Sequence, residues 1–249
     1  MELSEFFRVN PKVALAFSGG VDSAYLLYAA LQNGANVHAY YVKSAFQPRF
    51  ELTDAQRLAT QLKADMTVLN LDVLACPQIW ENPPDRCYYC KKLLFGRITD
   101  RAVADGYTTL IDGTNASDDV ADRPGVRALH ELSVRSPLRE CGLTKDEIRR
   151  LSREAGLFTW NKPTYACLAT RISTHEAITQ EKLERTERAE DFLFSLGFTD
   201  FRVRSVQDNA RIQVPSSQLA MVLEKKDQIL RKLKKFYASV SLDLEGRDE

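Results

Sequence analysis

A six-residue glycine motif constrains this chain more than any other part of its sequence. Residues 18–23 read Ser-Gly-Gly-Val-Asp-Ser and stand between an apolar run, 12–17, and a segment with helical spacing, 22–33. Glycine lets a backbone approach an anion without a side-chain clash, and the amides at a helix N-terminus attract phosphate. Because of this placement, the motif predicts a phosphate-binding loop rather than a simple turn that starts a helix.

Strand-like and helix-like patterns alternate through the first two thirds of the chain. Strands are predicted at 12–17, 36–43, 66–73 and 108–111, and helices at 22–33, 53–62, 87–104, 124–132 and 144–155. Thr53 is predicted as an N-cap, and Thr144 with Glu147 as a capping box. Parallel strands joined by helices form a sheet covered on both faces, so we predict an α/β domain over 1–175.

The pattern changes after about residue 176. A long helix is predicted at 179–196, a hairpin at 201–206 and 210–214, a helix at 216–235 and a last strand at 239–244. We therefore predict a second, small α+β domain over 176–249 that serves substrate binding or oligomerisation.

Charge and hydropathy narrow the class of partner. Lys plus Arg and Asp plus Glu both number 34, so the net charge is zero. This balance argues against a broad surface for binding nucleic acid, because such surfaces are usually basic. No apolar run reaches the length of a membrane span, and the first residues do not resemble a signal peptide. We therefore expect a cytoplasmic protein that binds neither membrane nor nucleic acid.

The glycine motif also carries an acidic residue. Asp22 would repel a bare phosphate, but a carboxylate and phosphate oxygens can share Mg²⁺. No Gly-Lys-Ser or Gly-Lys-Thr follows, so the motif is not a Walker A sequence. It resembles the PP-loop of the N-type ATP pyrophosphatases, which include GMP synthetase, NAD synthetase, asparagine synthetase and several tRNA-thiolating enzymes. Residues 112–115, Asp-Gly-Thr-Asn, resemble the second signature of that superfamily.

This resemblance implies that ATP is cleaved between its α- and β-phosphates and that AMP passes to a carboxylate or carbonyl oxygen. It assigns Asp22 to Mg²⁺ and to catalysis. The implied ATP-binding residues are Ala16, Phe17, Ser18, Gly19, Gly20, Val21, Asp22, Ser23 and Gly113.

The chain has five cysteines, Cys76, Cys87, Cys90, Cys141 and Cys167. An odd number fits metal or redox chemistry better than a disulfide framework. Cys87 and Cys90 are three residues apart at the start of a predicted helix, so their thiols share one face near its positive end. With Cys167 they could hold an iron–sulfur cluster with one open iron, or zinc with a water, or form a dithiol pair beside an uninvolved Cys167. Cys76 and Cys141 are interpreted as small buried residues.

Several segments together resemble the LarE family of ATP-dependent sacrificial sulfur transferases. They are 16–23, 82–91, 113–115 with Arg123, Pro124 and Gly125, 136–138 followed by 145–149, and 163–171. The resemblance covers nearly the whole chain. It implies a parallel-sheet domain of the adenine nucleotide alpha hydrolase-like (PP-loop) fold, followed by the small C-terminal domain.

The family acts in the biosynthesis of the nickel-pincer nucleotide cofactor. The resemblance implies that Mg-ATP adenylates a carboxylate of pyridinium-3,5-biscarboxylic acid mononucleotide and that sulfur then converts it to a thiocarboxylate. Members with one cysteine give up its sulfur. Members with three, which this chain resembles better, hold a 4Fe–4S cluster whose open iron carries an extra sulfide. By this resemblance Cys87, Cys90 and Cys167 are the ligands of the cluster and catalytic residues. A sulfide source or donor protein would supply the extra sulfide. Family members are often homo-oligomers, and a hexamer is compatible with this sequence.

The resemblance also implies a site for the substrate phosphate. Arg202 and Arg204 alternate on a predicted strand and so point to one face. With Thr170 and Arg171 they match residues that hold the phosphate in the family, and Glu190 would orient the arginines. Lys91 and Asp118 are further candidates for contact with substrate or metal. On the pattern alone, a solvated charged face is the alternative.

Two other functions stay open. A tRNA-thiolating PP-loop enzyme would need an RNA-binding module, and the sequence contains no recognisable one. A non-catalytic scaffold would bind a nucleotide and carry a cluster to a partner, but the presence of both Asp22 and Ser23 argues against it.

Overall fold

The structure is a computed structural model that describes residues 2–119 and 124–247. The chain forms two compact units: unit 1 contains 1–73 and 85–162, and unit 2 contains 74–84 and 163–249. This division differs from the predicted boundary after residue 175. The reason is that 74–84 is bonded to 172–178: Asn82 Nδ2 donates to the carbonyl of Ser173 at 2.7 Å, and the Ile178 amide donates to the carbonyl of Trp80 at 2.7 Å.

Unit 1 is built on a parallel sheet, which confirms the predicted α/β class. Its strands, in the order β3-β2-β1-β4, are β1 (Lys12–Ala16), β2 (Asn36–Lys43), β3 (Met66–Asn70) and β4 (Leu110–Ile111). Its helices are α1 (Leu3–Val9), α2 (Val21–Gln32), α3 (Arg49–Leu62), α5 (Arg86–Ala104), α6 (Pro124–Glu131), α7 (Pro137–Glu140) and α8 (Lys145–Glu154), while α4 (Pro77–Trp80) belongs to unit 2.

The sheet of unit 1 is buried on both faces. Val13 and Leu15 of β1 pack into one apolar cluster with Leu27 of α2, whereas Ala14 between them packs into another with Tyr40 and Ile98. Residues on alternate sides of the strand therefore meet helices on opposite sides of the sheet. This arrangement leaves the ends of the strands as the place where loops and ligands meet.

Local capping signals were partly predictive. The capping box is confirmed, because the Thr144 amide donates to Glu147 Oε2 at 2.9 Å and the Glu147 amide returns a bond to Thr144 Oγ1. The Thr53 N-cap is wrong: α3 begins at Arg49 after Pro48, and Thr53 Oγ1 donates to the carbonyl of Arg49 within the helix. The extended backbone of Pro48 starts the helix one turn earlier than its apolar periodicity suggests.

Unit 2 is a small α+β unit, as predicted. The antiparallel hairpin of β5 (Arg202–Val206) and β6 (Asn209–Gln213) is extended by β7 (Ser239–Leu242), which runs parallel to β6. α9 (Gln180–Ser195) covers this sheet, and the predicted helix 216–235 is instead a short turn followed by α10 (Leu219–Glu224) and α11 (Lys226–Leu233). The break falls at Lys225, whose ψ of 11° leaves the helical range.

In the described ranges, 2–119 and 124–247, no helix is both long enough and apolar enough to cross a membrane.

Candidate functional site

The glycine loop joins β1 to α2 at the carboxyl edge of the unit 1 sheet. Gly19 has φ of +72°, and a Cβ there would lie 3.0 Å from the Cβ of Ala55 on α3, so both its backbone angle and its packing require glycine. The hydroxyl oxygens of Ser18 and Ser23 lie 3.0 Å apart, and the Gly20 amide donates to Ser18 Oγ at 3.3 Å. These contacts hold the loop in one shape.

The loop after β4 packs directly against the glycine loop. A Cβ on Gly113 would lie 2.9 Å from the amide nitrogen of Ser23, so only glycine permits this approach. Asp112 is buried, and its carboxylate accepts hydrogen bonds from Thr114 Oγ1 at 2.6 Å and from Ser136 Oγ at 2.7 Å. The two predicted signatures therefore lie together at one edge of the sheet.

Asp22 faces a cation that the sequence analysis did not assign. Its Oδ2 lies 2.6 Å from Nζ of Lys145, and its Oδ1 accepts from Asn115 Nδ2 at 3.3 Å. The side chains of Asp22 and Lys145 are 22% and 27% exposed, so the pair contributes at most about 1 kcal/mol and can open. A lysine in the first turn of a helix opposes the helix dipole, and this was the signal in the sequence that could have identified Lys145.

Two weaker candidates have structural contacts. Asp118 Oδ2 accepts from the amide of Asn115 at 2.9 Å, so Asp118 shapes the second loop. A Cβ on Gly125 of α6 would lie 3.0 Å from Cδ of Lys91 on α5. The absence of a side chain at Gly125 therefore leaves room for the aliphatic part of Lys91. Arg123, which precedes Pro124 and Gly125 in the sequence, lies outside the described residues.

The cysteine pair of unit 1 occupies the first turn of α5. Cys87 is exposed and Cys90 is half-buried, and their spacing puts both on one face of the helix. The buried Arg86 places Nη2 3.8 Å from the Cys87 sulfur. Two thiols one turn apart, beside a guanidinium, suit two adjacent ligands of a metal centre.

A polar cluster ties this turn to α6. Tyr88 donates its hydroxyl to Glu131 Oε2 at 2.8 Å, Lys92 Nζ lies 3.1 Å from the same oxygen, and the Arg127 guanidinium stacks 3.9 Å from the Tyr88 ring centre. The hydrogen bonds from Tyr88 and Lys92 lower the pKa of Glu131. The start of α5 is therefore anchored independently of its thiols.

The third candidate ligand, Cys167, belongs to unit 2. It is half-buried and precedes a 3₁₀ turn, Leu168–Arg171, and its carbonyl accepts from the amide and hydroxyl of Thr170. Over the ranges that the structure describes, no group of three or more His, Cys, Asp or Glu side chains is arranged to hold a metal ion.

Cys76 and Cys141 are half-buried, which corrects their interpretation as buried residues. Burial raises the pKa of the Cys141 thiol.

An ion pair with almost no exposure lies at the centre of unit 2. Arg171 Nε and Nη2 contact the two carboxylate oxygens of Glu190 at 2.8 and 3.2 Å, and both side chains are at most 2% exposed. Glu190 also accepts from the Val203 amide at 2.8 Å and from the Tyr165 hydroxyl. Burial opposes the charge of Arg171, but the Glu190 carboxylate outweighs it and raises the pKa of this guanidinium.

Two further arginines of β5 lie beside this pair. Arg202 is buried, and burial and the charge of Arg171 lower its pKa to about 10. The same two causes lower the pKa of Arg204, which is half-buried and donates Nε to Gln213 Oε1 at 2.8 Å. The predicted arginines are thus brought together, with Thr170 hydrogen-bonded to Arg171. Such a group favours a bound anion.

Comparisons with known proteins agree with this picture. A family model, "Queuosine biosynthesis protein QueC", matches residues 12–79, which include β1 and the glycine loop. The chain is similar to an uncharacterised protein of Synechocystis sp., with 38% identity across 98% of this chain and 92% of that protein. It is similar to the pyridinium-3,5-bisthiocarboxylic acid mononucleotide synthase of Lactiplantibacillus plantarum, with 35% identity across 94% of this chain and 86% of that protein.

A more distant relative has a different named activity. The tRNA-specific 2-thiouridylase MnmA of Thermotoga petrophila is 24% identical, across 61% of this chain and 54% of that protein. The similarity to the synthase of Lactiplantibacillus plantarum is both higher and nearly full-length. With the paired signatures at the sheet edge, it shows that the chain belongs to the LarE family of ATP-dependent sulfur transferases, within the PP-loop superfamily.

Proposed function

We propose that this chain is the ATP-dependent sulfur insertase of nickel-pincer nucleotide biosynthesis. It adenylates a carboxylate of pyridinium-3,5-biscarboxylic acid mononucleotide and converts it to a thiocarboxylate, releasing pyrophosphate and then AMP. The observation that carries the proposal is that one chain combines a preshaped glycine loop with an arginine cluster beside Cys167. The name of the relative from Lactiplantibacillus plantarum supports the choice of substrate.

Unit 1 supplies the ATP half of the reaction. Residues 16–23 and Gly113 bind ATP, because the loop amides and the α2 N-terminus offer donors to its phosphates. Mg²⁺ held by Asp22 would neutralise phosphate charge. Lys145, released from Asp22, is then available to phosphate oxygens. The substrate carboxylate attacks the α-phosphorus, the bond to the bridging oxygen breaks, and pyrophosphate leaves.

Unit 2 supplies the substrate phosphate site. Thr170, Arg171, Arg202 and Arg204 bind the phosphate of the mononucleotide, Glu190 orients Arg171, and Lys91 of unit 1 contacts substrate. Holding the phosphate fixes the pyridinium ring and its carboxylates relative to the protein. Arginine suits this task because its guanidinium gives bidentate contacts and is charged at neutral pH.

Sulfur replaces AMP in the second half of the reaction. Cys87, Cys90 and Cys167 would hold a 4Fe–4S cluster, which would supply the sulfide, and a sulfide source or donor protein would replenish it. The sulfur attacks the acyl carbon, AMP departs with the original carboxylate oxygen, and the thiocarboxylate remains. If no cluster binds, the thiol of Cys167 attacks the acyl carbon and AMP leaves; β-elimination then breaks the Cβ–Sγ bond, which leaves the sulfur on the product and dehydroalanine at position 167.

The overall activity is tested by product analysis. Anaerobic protein with Mg-ATP, sulfide and the biscarboxylic mononucleotide should release AMP and pyrophosphate and give a product in which one oxygen is replaced by sulfur. Asp22→Asn should lose pyrophosphate release, whereas Asp100→Asn on the far part of α5 should retain it. Failure of the wild type to release pyrophosphate would favour the non-catalytic scaffold.

The sulfur carrier is tested by metal analysis. Iron, acid-labile sulfide and the visible spectrum are measured on anaerobically purified wild type, Cys90→Ala and, as the matched control, Cys141→Ala. About four irons in the wild type and control, lost in Cys90→Ala, support the cluster. A colourless wild type that resists reconstitution contradicts it, and mass analysis of Cys167 after turnover then shows whether that residue has lost its sulfur.

The tRNA-thiolating alternative has a direct test as well. A zero net charge and the partial match to MnmA disfavour it. Tight, salt-sensitive retention of tRNA on a gel would contradict the small-molecule proposal. We also propose a homo-oligomer, which light scattering of the purified protein tests.

A further inference from the structure

Three arginines of unit 2 hold the main chain of the segment that carries Cys167. The contacts are Arg202 Nη2 to the carbonyl of Thr164 at 2.7 Å, Arg171 Nη1 to the carbonyl of Ala166 at 3.1 Å, and Arg204 Nη1 to the carbonyl of Thr170 at 2.7 Å. Residues 162–167 have no regular secondary structure. The guanidinium donors therefore help to fix the main chain on both sides of Cys167, together with the 3₁₀ turn that begins after it.

Each arginine is anchored at its other side by the body of unit 2. Arg171 is held by Glu190 at 2.8 Å, and Arg202 Nη1 donates to the carbonyl of Phe201 at 2.7 Å. Arg204 Nε donates to Gln213 Oε1 at 2.8 Å, and Gln213 Nε2 in turn donates to Asp243 Oδ2 at 2.8 Å. Each guanidinium thus bridges the Cys167 segment to α9 or to the sheet.

The charges around this bridge do not balance. Five arginines take part in its contacts and ion pairs: Arg171, Arg202, Arg204, Arg211 and Arg247. Over residues 2–119 and 124–247, the carboxylates that pair with these arginines are three, those of Glu190, Asp200 and Asp243. Arg204 and Arg211 are also direct cross-strand partners, a like-charged pairing that destabilises a sheet. The surplus of two positive charges is removed when a doubly charged anion binds.

We infer that the anion bound here also positions Cys167, so that substrate phosphate and sulfur donor are coupled through Arg171, Arg202 and Arg204. The inference rests on the proposed function, which assigns the phosphate to this site. A bound dianion removes the repulsion between the guanidiniums, and the donors that hold residues 164–170 then keep one arrangement. By reciprocity, the factor by which the bound anion favours the ordered segment is the factor by which the ordered segment favours the anion, so a change that loosens the segment weakens phosphate binding.

Gln213 is the positioning residue through which the coupling can be tested. Gln213→Met keeps the size of the side chain and every arginine, but removes the acceptor for Arg204 Nε and the donor to Asp243. Gln218→Met is the matched control, because Gln218 also bridges polar groups of unit 2, accepting from the Thr199 amide at 3.1 Å and donating to its carbonyl at 2.8 Å.

The experiment is hydrogen exchange on the full chain with inorganic phosphate or nicotinic acid mononucleotide as the probe, with affinity measured by calorimetry. In the wild type, either probe should slow exchange across 164–171 about tenfold. Gln213→Met should lose most of this protection and bind about fivefold more weakly, as expected for one weakened hydrogen bond to a charged group. Gln218→Met should behave like the wild type.

The possible failures are distinguishable. Arg204→Met is measured in the same way as a further variant. If its affinity for the probe falls, but exchange across 164–171 in the wild type does not change with the probe, the coupling is wrong and the phosphate site stands. If affinity is unaffected by Arg204→Met, or protection is confined to 16–23, the phosphate site itself is wrong. The wild-type measurement decides the coupling even if Gln213→Met fails to fold.

Discussion

The two candidate anion sites are built from different parts of the polypeptide. In unit 1 the donors are main-chain amides, and glycines shape the loop that presents them. In unit 2 the donors are three guanidiniums from a 3₁₀ turn and a strand, held by Glu190 and Gln213. The first site therefore depends on backbone conformation and the second on buried charge. Substitutions that abolish one should leave the other able to bind.

The largest expected effect is on the buried charge. Arg171→Met leaves the Glu190 carboxylate buried without its partner, which should cost about 3–5 kcal/mol of unfolding free energy. Urea unfolding followed by circular dichroism measures it. The double variant Arg171→Met with Glu190→Gln should recover part of the loss. Equal stability of wild type and Arg171→Met would show that this pair is not the centre of unit 2.

The backbone site should respond to a single methyl group. Gly19→Ala forces a Cβ to 3.0 Å from Ala55 at φ of +72°, so pyrophosphate release should fall about a hundredfold or more. Gly34→Ala is the matched control, because it has φ of +69° but no atom within 4 Å of the added Cβ. It should lose about 1 kcal/mol of stability and keep its activity. Similar activity in both variants would remove the special role of Gly19.

Loss of the partly exposed ion pair between Lys145 and Asp22 should lower activity more than it lowers stability. Lys145→Met removes the partner of Asp22, and pyrophosphate release should fall about tenfold because the phosphate loses a cation. The melting temperature should change little, since this partly exposed pair contributes about 1 kcal/mol. The comparison with Arg171→Met is direct, because loss of Lys145 should lower activity with little change in stability, whereas loss of Arg171 should lower stability strongly. A large loss of stability in Lys145→Met would contradict it.

The smallest expected effect is on pH dependence. The pKa of Arg202 is about 10, lowered by burial and by Arg171 and Arg247, while Glu190 and Asp200 oppose the shift. Arg202 is therefore charged at pH 8 and loses charge as the pH rises through 10, while a phosphate monoester stays doubly charged. Mononucleotide affinity should fall severalfold between pH 8 and 10.5. Calorimetry measures it, and Arg202→Met should abolish this step.

The same contrast explains what the sequence could predict. The glycine loop, the capping box at Thr144 and the β5–β6 hairpin each depend on a few adjacent residues, so their patterns identified them. The sequence did not pair Lys145 with Asp22 or Gln213 with Arg204, because the partners of each pair lie on different elements of the fold. Apolar periodicity reports neither the backbone break at Lys225 nor the early start of α3 after Pro48.

The placement of residues 74–84 in unit 2 has a consequence for synthesis of the chain. This segment leaves the ribosome well before residues 172–178, yet the Asn82 side chain is buried against their carbonyls. Unit 2 can therefore fold only after the C-terminal third of the protein has been synthesised, because residues 74–84 pack against that part of the chain. A fragment that begins at residue 163 would lack residues 74–84 of unit 2. The two units should therefore be expressed and engineered together as one chain.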